Sequence, residues 1–177
     1  MKRIVAFGAS SSSKSINKLL ATYAAQQINN SEITILDLNN FQMPIYSEDY
    51  ERINGIPEEA HNFKKIIKLS DGIIISFAEH NGAYTAAFKN IFDWISRIEK
   101  DVWYNKPMLL MATSNGSNGA SSVLQMAHSR ISRGTTNKIP YFSLPNFNKT
   151  FNKDLGIMDE NLNKKFIDAL SIFIESL

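Results

Sequence analysis

Short apolar runs alternate with longer amphipathic stretches along the chain. Ile4-Val5-Ala6-Phe7, closed by Gly8, is apolar at consecutive positions, as in a strand covered on both faces. From Ile16 to Ile28 the apolar residues fall at Ile16, Leu19, Leu20, Tyr23, Ala24 and Ile28, which is helical spacing. Ile33-Thr34-Ile35-Leu36 predicts a second strand ending at Asp37. Residues 38–56 carry Pro44, Gly55 and many polar groups and read as a long loop. Pro57, Glu58 and Glu59 suit the first turn of a helix, whose apolar face is Phe63, Ile66, Ile67 and Leu69. Gly72 to Ala78 is the clearest strand, and Phe88, Ile91, Phe92 and Ile95 mark the next helix. Met108 to Ala112 is another two-sided strand, entered through Pro107. Val123, Leu124, Ala127 and Ile131 predict a fourth helix. Ile139 to Leu144 predicts a fifth strand, placed at a sheet edge by its internal Pro140. Leu162, Phe166, Leu170, Phe173 and Leu177 form a terminal helix.

Five such units predict an α/β protein, with a doubly wound five-stranded parallel sheet covered by helices on both faces. Five strands without a sixth favour the flavodoxin-like order 2-1-3-4-5. Nothing divides the chain, so residues 1–177 are expected to form a single domain. Lys plus Arg number 19 and Asp plus Glu 17, a net charge of +2, and no basic stripe calls for a nucleic-acid partner. No run approaches the roughly 18 apolar residues of a membrane span. Ile4 to Phe7 is too short for the core of a leader. The expected compartment is therefore the cytoplasm, with no membrane partner. The absence of Cys excludes disulfides, a thiol nucleophile and thiolate metal sites. The three His are too dispersed for a metal set, so no metal is expected.

In this architecture ligands bind beyond the carboxyl ends of the strands, where the strand order reverses. Four of the eight glycines lie in the loops there: Gly8, Gly82, Gly116 and Gly119. Loop one, Gly8 to Asn17, runs from a strand into a helix whose start offers free N–H groups and a positive dipole end, suited to a phosphate. Ser10, Ser12 and Ser15 add hydroxyls and Asn17 an amide. Ser15 also suits an N-cap, and Ser clusters occur as plain loops, but a cap accounts for one Ser and not five in six positions. The loop is neither GxxxxGK[ST] nor GxGxxG, which disfavours a nucleoside triphosphatase and a dinucleotide on this loop. Gly8-Ala9-Ser10-Ser11-Ser12 also lacks the second Gly of a hydrolase nucleophile elbow.

Loop three reads Glu79-His80-Asn81-Gly82-Ala83-Tyr84-Thr85 and leads into Phe88-Lys89-Asn90-Ile91-Phe92-Asp93-Trp94. These residues resemble the NAD(P)H-dependent FMN reductases, with their chromate and quinone reductase and small azoreductase relatives. That family carries Pro-Glu-Tyr-Asn-Gly-Ser-x-Pro before a helix with Leu-Lys-Asn-x-x-Asp-Trp. Glu79, Asn81, Gly82, Lys89, Asn90, Asp93 and Trp94 match it, as do Ser15 and Asn17 in loop one. Ala78, His80, Ala83 and Thr85 depart from it, and Ser12 stands where the family often has Arg.

The resemblance implies non-covalent FMN as cofactor and NADPH or NADH as co-substrate. Hydride would pass through the flavin, in ping-pong order, to a small-molecule acceptor: a quinone, azo compound, metal oxyanion or flavin. It assigns Ser10, Ser12, Ser15, Ile16 and Asn17 to the phosphate. Glu79, His80, Asn81 and Gly82, with Ser114, Asn115, Gly116 and Gly119 of loop four, are assigned to the flavin. No residue is expected to act as a catalytic acid or base, because the cofactor carries the chemistry. A homodimer or homotetramer is implied, and Phe88, Phe92, Trp94 and Trp103 either bury in the core or help form a subunit contact along such helices. The alternative is a flavodoxin-like electron carrier or FMN-binding module without nicotinamide turnover.

Overall fold

The computed structural model describes residues 1–177. Its main sheet contains β1 (Lys2–Ala9), β2 (Ser31–Leu36), β3 (Gly72–Phe77), β6 (Met108–Thr113) and β7 (Tyr141–Leu144). Two short hairpins supply β4 (Glu79–His80) with β5 (Ala83–Tyr84), and β8 (Phe151–Asn152) with β9 (Gly156–Ile157). The helices are α1 (Ile16–Gln26), α2 (Glu48–Asn54), α3 (Glu58–Leu69), α4 (Ala86–Ile98), α5 (Ser121–Ser132), α6 (Phe147–Thr150) and α7 (Glu160–Glu175). The sheet order is β2-β1-β3-β6-β7, all parallel, which is 2-1-3-4-5 when only sheet strands are counted. This is the expected flavodoxin-like arrangement.

Strand alternation divides the core in two. Val5, Phe7, Ile73, Ile75, Phe77, Leu110 and Ala112 face α3, α4 and α5, where Phe63, Phe88, Trp94 and Leu124 complete the packing. Ile4, Ala6, Ile74, Leu109 and Met111 face α1 and α7, against Leu20, Ala24, Phe166 and Phe173. Gly8 sits where a Cβ would come within 2.4 Å of the Lys18 backbone nitrogen, so glycine is what lets α1 lie close on β1.

Residues 38–56 are more ordered than their polarity predicts. A 3-10 turn covers Leu38–Asn40, and α2 covers Glu48–Asn54. Capping forms both: Asp37 accepts from Asn39 N, and Ser47 accepts from Tyr50 N ahead of Glu48, Asp49 and Glu51. α2 buries no residue, so it left no apolar period to read. Pro57 is the N-cap of α3 rather than part of its first turn, and Leu69 is exposed. β7 begins at Tyr141, after Pro140, and forms the sheet edge as expected. No helix is long and apolar enough to cross a membrane.

Candidate functional site

The loops after β1, β3 and β6 emerge side by side, because Ala9 is opposite Phe77 and Phe77 opposite Ala112. Hydrogen bonds then fix these loops to one another. Thr85 Oγ1 donates to Ala9 O at 2.9 Å and accepts from Phe88 N, joining loop three to loop one and capping α4. Asn39 Nδ2 donates to Ser11 O at 3.0 Å, joining the loop after β2 as well.

Loop one is a run of nested turns. Ser10 Oγ accepts from Ser12 N, Ser12 Oγ accepts from Lys14 N, and Ser12 O accepts from Ser15 N. Ser15 is the N-cap of α1, its Oγ accepting from Lys18 N at 3.1 Å. The Ile16 and Asn17 N–H groups have no partner within the chain, and loop one contains no carboxylate. Its donor set is therefore two free N–H groups at a helix start with the serine hydroxyls beside them, which suits a phosphate.

The Asn17 side chain does something else. It is 2% exposed and faces the sheet. Its Oδ1 accepts from Ser76 Oγ at 2.7 Å and from Thr113 N at 3.0 Å, and its Nδ2 donates to Thr113 O at 3.0 Å. The amide expected at the phosphate instead ties α1 to β3 and β6, and the backbone N–H of Asn17 has no partner within the chain. The signal was available: Ser76 is a polar residue inside an apolar strand and requires a buried partner.

Glu79 is likewise occupied. Ala120, the N-cap residue of α5, is left-handed and offers no capping side chain, and Glu79 Oε2 accepts from Val123 N at 2.9 Å. A carboxylate from loop three therefore caps α5. His80 is exposed on the β4–β5 hairpin, whose turn Asn81-Gly82 has φ of +52° and +74°. Asn-Gly between paired residues is the sequence signal for such a hairpin.

Loop four splits. Ser114 to Asn118 form its accessible part, and a Cβ at Gly116 would meet nothing nearer than 3.7 Å. Gly119 is buried, and a Cβ there would lie 2.4 Å from Ser143 Oγ and 2.8 Å from Pro145 N. Gly119 thus packs closely against the β7 end. Gly82, with open space around it, retains the accessibility expected of it.

The Lys-Asn-x-x-Asp-Trp stretch holds a loop in place. Asn90 Nδ2 donates to Met43 O and Pro44 O, its Oδ1 accepts from Tyr46 N, and Trp94 Nε1 donates to Pro44 O at 2.7 Å. Lys89 pairs with Asp93 at 2.7 Å on the exposed side of α4. A groove of about 360 Å3, lined by Ser11, Leu38, Phe41, Met43, Asn90 and Ile91, runs beside loop one. Tyr84 was not among the expected residues. Its hydroxyl is buried without a hydrogen-bond partner, and burial raises its pKa. His128 packs on Tyr141 at 4.6 Å, with Nε2 3.1 Å from Ile139 O, and lies away from these loops.

The sequence model of the NADPH-dependent FMN reductase family matches residues 2–149. An NADPH azoreductase of Bacillus sp. (strain OY1-2) is 27% identical over 123 residues, 70% of this chain and 65% of that protein. A quinone reductase of Escherichia coli (strain K12) is 30% identical over 74 residues, 42% of this chain and 39% of that protein. The aligned stretches thus span less than two thirds of these curated relatives. Among solved structures, FerB, a flavoenzyme NAD(P)H:(acceptor) oxidoreductase from Paracoccus denitrificans, superposes with a TM-score of 0.77 at 21% identity. That superposition covers 99% of this chain and 97% of FerB.

Proposed function

The chain belongs to the NADPH-dependent FMN reductase family, and from that premise we propose that it is an NAD(P)H-dependent FMN oxidoreductase reducing a small-molecule acceptor. The donor set of loop one carries the proposal: free Ile16 and Asn17 N–H groups and the Ser10, Ser12 and Ser15 hydroxyls, with no carboxylate among them. FMN, when bound, supplies the capacity to accept a hydride from a nicotinamide and deliver reducing equivalents to an acceptor.

The chain's own residues bind and orient. Loop one holds the phosphate end at the start of α1. His80, Asn81 and Gly82 from loop three, and Ser114, Asn115 and Gly116 from loop four, would border the flavin ring. His80 contacts the ring as a packing residue and transfers no proton. Glu79, Asn17 and Thr85 act one step back, fixing α5, β6 and loop one. No acid–base pair is required, because hydride transfer depends on stacking and distance. Nicotinamide and acceptor would react in turn at the loops that hold the flavin, in ping-pong order. The protein acts in the cytoplasm as a homodimer or homotetramer.

Steady-state kinetics with NADPH or NADH and a quinone test the order. Parallel double-reciprocal lines are expected; intersecting lines would mean separate sites. Flavin binding without nicotinamide turnover would indicate an electron carrier or FMN-binding module instead.

A further inference from the structure

A second groove flanks loop one along α1 and holds charge with no part in the proposed function. Its volume is about 520 Å3, and its walls include Ser13, Lys14, Ser15, Lys18 and, from across the groove, Lys153. No carboxylate lines it. Lys18 is engaged by Asp37 at 2.7 Å, and that bond holds the Asp37 carboxyl below its usual pKa. Lys14 and Lys153 have no acidic partner.

Packing fixes the position of Lys153, which stands on the turn of the β8–β9 hairpin. Tyr23 of α1 meets Phe151 edge-on at 5.3 Å. Gly156 lies so close to Tyr23 that a Cβ would come within 2.4 Å of its hydroxyl oxygen. Asn152 Oδ1 accepts from Asp154 N and Leu155 N and closes the turn. The hairpin is thereby clasped to α1, with Lys153 at the groove. Two unpaired ammonium groups on one groove repel each other, and an anion between them relieves the repulsion.

We infer that Lys14 and Lys153 form a cationic wall for the FMN phosphate, an inference that rests on the FMN reading above. A phosphate monoester carries nearly two negative charges at neutral pH. Loop one gives it hydrogen-bond donors but, apart from Lys14, no formal charge. Lys153 supplies that charge from a segment beyond residues 2–149, the part matched by the family.

The test compares FMN with riboflavin, which lacks the phosphate, by fluorescence quenching on flavin-stripped protein. The variants are Lys14→Gln, Lys153→Gln, their double, and Lys149→Gln as a control outside the groove, each checked for folding by circular dichroism. Lys153→Gln should weaken FMN about fivefold, the scale of a solvent-accessible ion pair, and leave riboflavin unchanged. The double variant should lose more and show a shallower dependence of FMN affinity on salt. Unchanged FMN affinity in Lys153→Gln, an equal loss for riboflavin, or an equal loss in Lys149→Gln would overturn the inference. Wild-type protein that binds FMN no better than riboflavin would instead overturn the placement of the phosphate at loop one, a comparison that involves no lysine variant.

Discussion

Asn17→Ala separates a structural role from a ligand role at the same residue. The wild-type side chain closes three buried hydrogen bonds, two accepted from Ser76 and Thr113 and one donated to Thr113 O. Alanine leaves the Ser76 hydroxyl and both Thr113 backbone groups unpaired in a region with no exposure at Ser76 and 1% at Thr113. At about 1 kcal/mol for each bond lost, the expected loss of unfolding free energy is about 3 kcal/mol. That is a large share of the roughly 5–15 kcal/mol that holds a domain folded. Urea unfolding of wild type, Asn17→Ala, Ser76→Ala and the double variant gives the measurement. The double variant should lose less than the sum of the singles, because Ser76 and Asn17 share a bond. FMN affinity, measured where Asn17→Ala is folded, should fall only a few-fold, since its backbone N–H survives. A stability loss under about 1 kcal/mol with FMN affinity down more than tenfold would refute the reasoning and return the amide to the phosphate.

Other expectations test the supports around the site. Glu79→Ala should cost about 1 kcal/mol in thermal or urea unfolding by leaving Val123 N uncapped, and Glu79→Gln should recover most of it. Asn90→Ala removes three bonds to residues 43–46 and should speed hydrogen exchange there, with a stability loss of about 2 kcal/mol. Lys64 is 2% exposed and donates to Asp101 O and Val102 O, and burial pushes its pKa down to about 8 from 10.5. The unfolded chain then binds more protons between those values, so the Lys64 contribution to stability should rise with pH across about 8 to 10.5. Urea unfolding from pH 7 to 10 should show that rise in wild type and a flatter dependence in Lys64→Met.

Strand positions and sheet order were legible because buried strands write continuous apolar runs, and a parallel sheet of five leaves few topologies. α2 was not, since its helix is set by Ser47 and its acidic first turn while its side chains bury nothing. Loop one was legible as a hydroxyl-rich connection from strand to helix. The internal partners of particular residues were not legible: Asn17, Glu79 and Gly119 all stand near the site in sequence, yet each is engaged by a residue distant along the chain. Asn17 meets residues 59 and 96 positions away, and Glu79 one 44 away. Spacing along the sequence carries no record of such pairings. The Asn81-Gly82 turn, by contrast, carries its geometry in two adjacent residues.

The proposed activity requires that this chain hold FMN and pass hydride through it. Its most direct test is an anaerobic mixing experiment on protein loaded with FMN. Addition of NADPH or NADH should bleach the visible flavin absorbance within seconds, and a quinone added next should restore it. Flavin that stays oxidised with both nicotinamides, or protein that fails to take up FMN at all, would contradict the account.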